Sequence, residues 1–261
     1  MSPGTIRLFH VDAFTDRLFS GNPAAVCPLE EWLPAEVMQS IAAENNLSET
    51  AFFVSQPDGY ELRWFTPVTE VDLCGHATLA AAFVIFNFLQ PGATAACFRT
   101  KSGVLEVNRE GDLIALDLPS FPAKPSVIPD GLVGALGQMP EDALEANAYV
   151  LVYQTERCVA DLRPDFARLA NLPRTVIVTA PGETADFVSR YFAPSRGVPE
   201  DPVTGSAHCR LIPYWAKRLG KTRLKARQLS KRGGDLLCED RGERVRIAGR
   251  AVLYLEGAIR M

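Results

Sequence analysis

"EVDLCGHATLAAAFVIF" (residues 70–86) decides the fold, because a near counterpart, "EDPVTGSAHCRLIPYW" (residues 200–215), follows half a chain later. In the first stretch Gly75 gives backbone freedom, Thr78 can bond locally, and an uninterrupted apolar run follows. That is the start of a helix rather than its middle, and a helix apolar on all sides is a buried one. In the second stretch Gly205-Ser206-Ala207 opens another such helix. Phe65-x-Pro67 precedes the first and Phe192-x-Pro194 precedes the second, and the two glycines lie 130 residues apart in a chain of 261. The order of elements around them matches as well. The reading is an internal duplication: an α+β fold of two pseudo-symmetric domains, each a mostly antiparallel sheet wrapped around one buried helix.

Working outward, "TIRLFHVDAF" alternates as a first strand, and Gly21-Asn22-Pro23 marks a turn before a second. "PAEVMQSIAAENN" carries apolar residues at helical spacing from Pro34 and stops near Asn45–Asn46. "SETAFFVSQ" and "YELRWFTP" read as strands joined at Pro57-Asp58-Gly59, and "ACFRTKSGVLEVNRE" and "LIALDLP" follow the first buried helix. In the second half, "AYVLVYQ", "RCVADLR" and "TVIVTAP" are expected as strands. "PSFPAKPSVIPDG", rich in proline, places a linker near residues 119–130. The N-terminal domain is therefore expected over 1–120 and the C-terminal one over 126–261; whether the last strand, about 251–261, returns to the first domain stays open.

The totals bound the function. With 47% hydrophobic and 22% charged residues and a net charge of −4, the chain has the profile of a soluble globular protein with a large core. A mildly acidic balance does not suggest a nucleic-acid partner. The basic residues between Lys217 and Arg232 lack interleaved aromatics and read as a solvated face. "ATLAAAFVIFNFL", at thirteen residues, is too short to span a membrane, and the first residues do not resemble a secretory leader. The six cysteines are scattered without a C-x-x-C pair and only three histidines accompany them, so neither a metal nor a disulfide framework is expected. Reduced thiols in the cytoplasm are the expectation.

Two buried helices whose N-termini converge on a cleft would offer unpaired N–H groups and the positive ends of two macrodipoles, a setting for a small carboxylate. His76, Asp201, Thr204 and Ser206 are the polar groups expected to line it. The candidate base is Glu49, between a helix end and the apolar strand "TAFFV". A carboxylate desolvated there is able to take and return protons near neutral pH. An ordinary solvent-facing glutamate is the competing reading, and Glu44 is a rival base on the exposed side of its helix. His76 at a helix N-terminus is expected to be a neutral ring; Asp201, before a proline, could equally be a turn residue.

In order along the chain, "DAFT", "F-GNPAAV", "IAAENNLSETAF", "LRWFTP--EV-LCGHATLA", "EDPVTGSAH" and "V-IAGRAVLYLEG" resemble the PhzF-like (phenazine-biosynthesis) isomerase family, which shares the diaminopimelate-epimerase fold. The resemblance covers nearly the whole chain. It implies two pseudo-symmetric domains with the site between them, no cofactor and no metal. It makes Glu49 the proton-shuttling acid/base, His76, Asp201 and Ser206 its polar partners, and Gly75 their neighbour. Related epimerases use a cysteine at each helix N-terminus; here Cys74 holds the first position and Thr204 the second, and a hydroxyl is no base at neutral pH. The expectation is an isomerase moving a proton on a small carboxylate, as a homodimer. An amino-acid epimerase or racemase, and a non-catalytic binding protein on the same fold, are the alternatives.

Overall fold

The computed structural model describes residues 4–261. The chain forms two compact units, one made of the sequence up to Asp117 together with Ala248–Met261, the other of Leu118–Ile247. No helix among the described residues is long and apolar enough to cross a membrane.

In the first unit, β1 (Thr5–Ala13) lies antiparallel to β2 (Asn22–Leu29) and, on its other side, to the C-terminal strand Ala251–Arg260. The turn between β1 and β2 needs a glycine: Gly21 has φ +67°, and a Cβ there would run into the Ala13 carbonyl. α1 (Ala35–Asn45) buries Met38, Ile41 and Ala42, and stops where Asn46 turns left-handed and donates its N–H to the Ala42 carbonyl at 3.1 Å. It carries the chain across to β3 (Glu49–Gln56), parallel to β2. β4 (Gly59–Phe65) turns back antiparallel, and the short β5 (Glu70–Val71) pairs with its end. α2 (Gly75–Val84) then crosses to β6 (Ala95–Thr100), parallel to β4, and β7 (Gly103–Glu110) and β8 (Leu113–Pro119) follow as a meander. α2 is buried at every position but Phe83, as a helix apolar on all sides must be. Full burial of Leu79 and Val84 stabilises by about 1.5–3 kcal/mol each.

The second unit repeats this order. β9 (Lys124–Pro125) pairs with β10 (Asp142–Glu145) after α3 (Leu132–Leu136), and β10 pairs antiparallel with β11 (Tyr149–Val152). Across α4 (Glu156–Ala160) and α5 (Phe166–Leu169) the chain reaches β12 (Val176–Pro181), parallel to β11. β13 (Phe187–Ala193) returns antiparallel and carries the short β14 (Val198–Asp201). α6 (Gly205–Leu219) crosses to β15 (Arg223–Gln228), parallel to β13; β16 (Gly234–Asp240) and β17 (Arg244–Gly249) lead to β18, the strand Ala251–Arg260 already met. Each unit thus has two parallel pairs bridged by helices in an otherwise antiparallel sheet, which is the duplicated α+β plan read from the two glycine-led stretches.

A side-chain device repeats too. Arg63 of β4 makes a bidentate pair with Glu70 of β5 at 2.8 and 2.9 Å. Arg190 of β13 does the same with Glu200 of β14, again at 2.8 and 2.9 Å. Each guanidinium stacks on the phenylalanine two residues ahead, Phe65 at 5.2 Å and Phe192 at 5.0 Å. The pairs fix the short strands that deliver the chain to the starts of α2 and α6.

Two details differ from the sequence reading. "RCVADLR" is not a strand: it holds α4, begun by Thr155, whose hydroxyl oxygen accepts the Cys158 N–H. Its two buried apolar residues, Val159 and Leu162, are three apart, a helical spacing that a loose alternation hides. Within the expected linker, Lys124–Pro125 pairs with β10 as β9. In α6, Pro213 withholds the N–H that the Cys209 carbonyl would accept, and the Phe121 N–H fills that gap at 2.9 Å.

Candidate active site

The first unit assembles its polar groups at the start of α2. Cys74 is the N-cap residue, with no side-chain cap, and Gly75 and His76 open the helix. Thr78 bonds back to the Cys74 carbonyl with both its N–H (3.1 Å) and its hydroxyl (2.5 Å). Glu49, the first residue of β3, sits opposite Ala24 of β2 and reaches His76: Glu49 Oε2 lies 3.1 Å from His76 Nε2. The contact is an ion-pair distance, and neither atom has a hydrogen-bond partner among the described residues. On the other ring nitrogen, Nδ1, converge the Asn22 amide (3.2 Å) and the Cys74 sulfur (3.5 Å). Asn22 is fully buried at the start of β2 and was not singled out from sequence; its signal was its place after the Gly21 turn.

Two opposed influences act on the His76 ring. Burial pulls the imidazole down and the Glu49 carboxylate pulls it up, with Cys74 adding to the upward pull only as a thiolate; the net direction is upward from the ordinary value. Burial and the nearby Glu49 push the Cys74 thiol up to about 11, so at neutral pH it stays an S–H and Glu49 is what holds the proton on the ring. The helix N-terminus disfavours an imidazolium, and the carboxylate at 3.1 Å favours one.

Glu49, Cys74 and His76 bring their donor atoms within 4.8 Å of one another, a metal-sized cluster that spacing along the chain did not reveal. The chemistry of the set fits a metal poorly. Only three donors gather there among the described residues, fewer than the four of a structural zinc site. The thiol, moreover, resists the deprotonation that a metal ligand needs.

The second unit builds the corresponding helix start. Thr204 is the N-cap of α6, followed by Gly205 and Ser206, so Ser206 holds the rank that His76 holds in α2. Asp201 ends β14 opposite Tyr191. Its carboxylate accepts a short hydrogen bond from the Thr204 hydroxyl, so Thr204 does not cap its own helix. His208, fully buried, bonds through Nδ1 to the Thr204 carbonyl at 2.8 Å, the place taken by Thr78 in the first unit. Burial lowers the His208 ring to about 4, so it is neutral, and its Nδ1–H is the donor. Gln228, at the end of β15, is fully buried and contacts the same turn; sequence reasoning did not single it out.

Residues 11–257 match the family described as phenazine biosynthesis-like protein, PhzC-PhzF. An uncharacterized isomerase of Pseudomonas aeruginosa is 54% identical over 257 residues, covering 98% of this chain and 99% of its own. The crystal structure of a phenazine biosynthesis protein of the PhzF family from Enterococcus faecalis is 47% identical with a TM-score of 0.96, covering 99% of this chain and 100% of its own. A "predicted epimerase" of Pseudomonas aeruginosa shares the fold at 20% identity, with a TM-score of 0.73 and coverage of 97% and 99%. The matched span, the duplicated plan and the residues at both helix starts agree: the chain belongs to the phenazine biosynthesis-like PhzC-PhzF family.

Proposed function

We propose that the protein is an isomerase that moves a proton on a small carboxylate-bearing molecule, using its own side chains without a metal or cofactor. The observation that carries this is the Glu49–His76 pair, with Oε2 and Nε2 3.1 Å apart at the start of a buried helix. Glu49 keeps 18% of its side chain exposed, so it is open to a ligand as well as to the ring. It takes a proton from a substrate carbon and returns it at another position. His76, carrying a proton, donates a hydrogen bond and compensates the charge that Glu49 gains when it gives its proton back. The first-turn N–H groups of α2, uncapped by Cys74, suit a substrate carboxylate, and those of α6, uncapped by Thr204, have the same chemistry. Asp201, Thr204 and Ser206 serve as further polar contacts, Gly75 as the close backbone approach. The relatives named as isomerases support the reaction class.

The test is solvent-deuterium exchange into a panel of small carboxylates. Glu49→Gln keeps the shape and removes the base, and exchange should fall by about 100-fold to 10,000-fold. Cys74→Ser should be far milder, because a thiol held up to about 11 is neither base nor nucleophile at neutral pH. Normal exchange in Glu49→Gln beside an inactive Cys74→Ser would move the chemistry to the thiol and favour an epimerase.

A further inference from the structure

We infer that Gln228 is a positioning residue for Asp201, acting through the Thr204 hydroxyl; this rests on the role proposed above for Asp201. Gln228 lies 24 residues beyond Thr204, on the strand that follows α6, and is wholly buried. Its Oε1 accepts the Thr204 N–H at 2.8 Å. Its Nε2 donates to the Asp201 carbonyl at 2.8 Å and to the Thr204 hydroxyl oxygen at 3.2 Å.

The chemistry of a hydroxyl makes the last contact decisive. Thr204 has one O–H to give and two lone pairs to accept with. An amide N–H already directed at its oxygen occupies a lone pair, which leaves the single proton to the Asp201 carboxylate, where it makes a short bond. Gln228 therefore sets the direction of the hydroxyl, and the hydroxyl sets the rotamer of Asp201. The backbone of the same turn is held from other sides: His208 Nδ1–H bonds the Thr204 carbonyl at 2.8 Å, and the Ser230 hydroxyl donates to the Pro202 carbonyl at 2.8 Å. Those bonds hold main chain. Gln228 alone among these three also touches the side chain that touches Asp201. A threonine in the position where related epimerases carry a thiol thus becomes a link between a buried amide and a carboxylate.

The experiment reads the Asp201 side chain directly, by its Hα–Hβ NMR couplings, with Asp201→Asn used for assignment. Wild type should show one Asp201 rotamer. Gln228→Met, which keeps the length and removes every bond, should average it, and Thr204→Val should do the same with no further change in the double variant. Ser230→Ala, which loosens main chain only, should leave the single rotamer. If Gln228→Met does not fold, Gln228→Glu retains the acceptor for the Thr204 N–H but has no N–H for the hydroxyl, and the same averaging is expected. A single Asp201 rotamer in a folded Gln228 variant overturns the proposal whatever the activity. In the exchange assay, Gln228→Met should lower turnover on the order of 10-fold to 100-fold. Unchanged turnover in Gln228→Met while Asp201→Asn is impaired also overturns it. Unchanged turnover in Asp201→Asn instead removes Asp201 from the mechanism, with the positioning contact intact.

Discussion

His76 and His208 are both buried, and they face opposite electrostatic settings. His208 has a backbone carbonyl on Nδ1 and no partner on Nε2 among the described residues, so nothing repays a charge there, and burial lowers it from 6.5 to about 4. The unfolded chain takes up that proton before the folded one does. Its contribution to stability is therefore present above about pH 6.5 and lost as pH falls toward 4, about 3 kcal/mol in all. His76 runs the other way. Raised above 6.5 by the Glu49 carboxylate against the pull of burial, it contributes fully below that pH, and the contribution is lost as pH rises through its folded value. Urea unfolding across a pH series should show both limbs. His208→Gln should flatten the acid limb and His76→Gln the alkaline one; an acid limb unchanged in His208→Gln would show that the proton is taken up elsewhere. Glu49 could be picked out from its place between a helix end and an apolar strand. The Glu49–His76 contact could not, because it joins two residues 27 positions apart.

At the scale of elements, the short strands β5 and β14 owe their position to Arg63–Glu70 and Arg190–Glu200. The second pair is the more enclosed, with side chains 10% and 19% exposed, and Arg190 also donates to the Val159 and Leu162 carbonyls at 3.1 and 3.0 Å. Breaking a buried pair from one side leaves a stranded charge, at a cost of about 3–5 kcal/mol. Glu200→Leu should thus destabilise by roughly that amount, less whatever water reaches the freed guanidinium. The double change Arg190→Leu/Glu200→Leu should recover part of the loss, as denaturant midpoints with unchanged slopes will show. A double variant weaker than the sum of the singles would overturn the account. The duplication was legible in the glycine-led helix starts and in Phe-x-Pro. These arginines, two residues before each phenylalanine, were equally visible, but their partners Glu70 and Glu200 lie at different distances along the chain, seven residues and ten. Fixed spacing fails where a loop differs in length. The strand misread at "RCVADLR" has another cause: a four- or five-residue helix is too short for its period to separate from alternation.

On the scale of the molecule, the two units are closed differently. Leu118–Ile247 is one continuous stretch with a core of its own around Leu151, Val178, Val188 and Phe192, all fully buried or nearly so. The other unit takes its last strand from the far end of the chain: β18 pairs with all nine residues of β1, from Thr5 opposite Arg260 to Ala13 opposite Ala251. A return of that strand was an open question from sequence, since "AVLYLEGAIR" names no partner and pairing over some 250 residues leaves no local trace. The consequence is testable with fragments. Residues 118–247 should fold alone, with a cooperative urea transition. Residues 1–117 should not, because β1 is left with an unpaired edge along all nine of its residues. Adding a peptide of residues 248–261 in trans should restore a cooperative transition whose midpoint rises with peptide concentration. Cooperative folding of 1–117 without the peptide would mean that β18 decorates the unit rather than completes it.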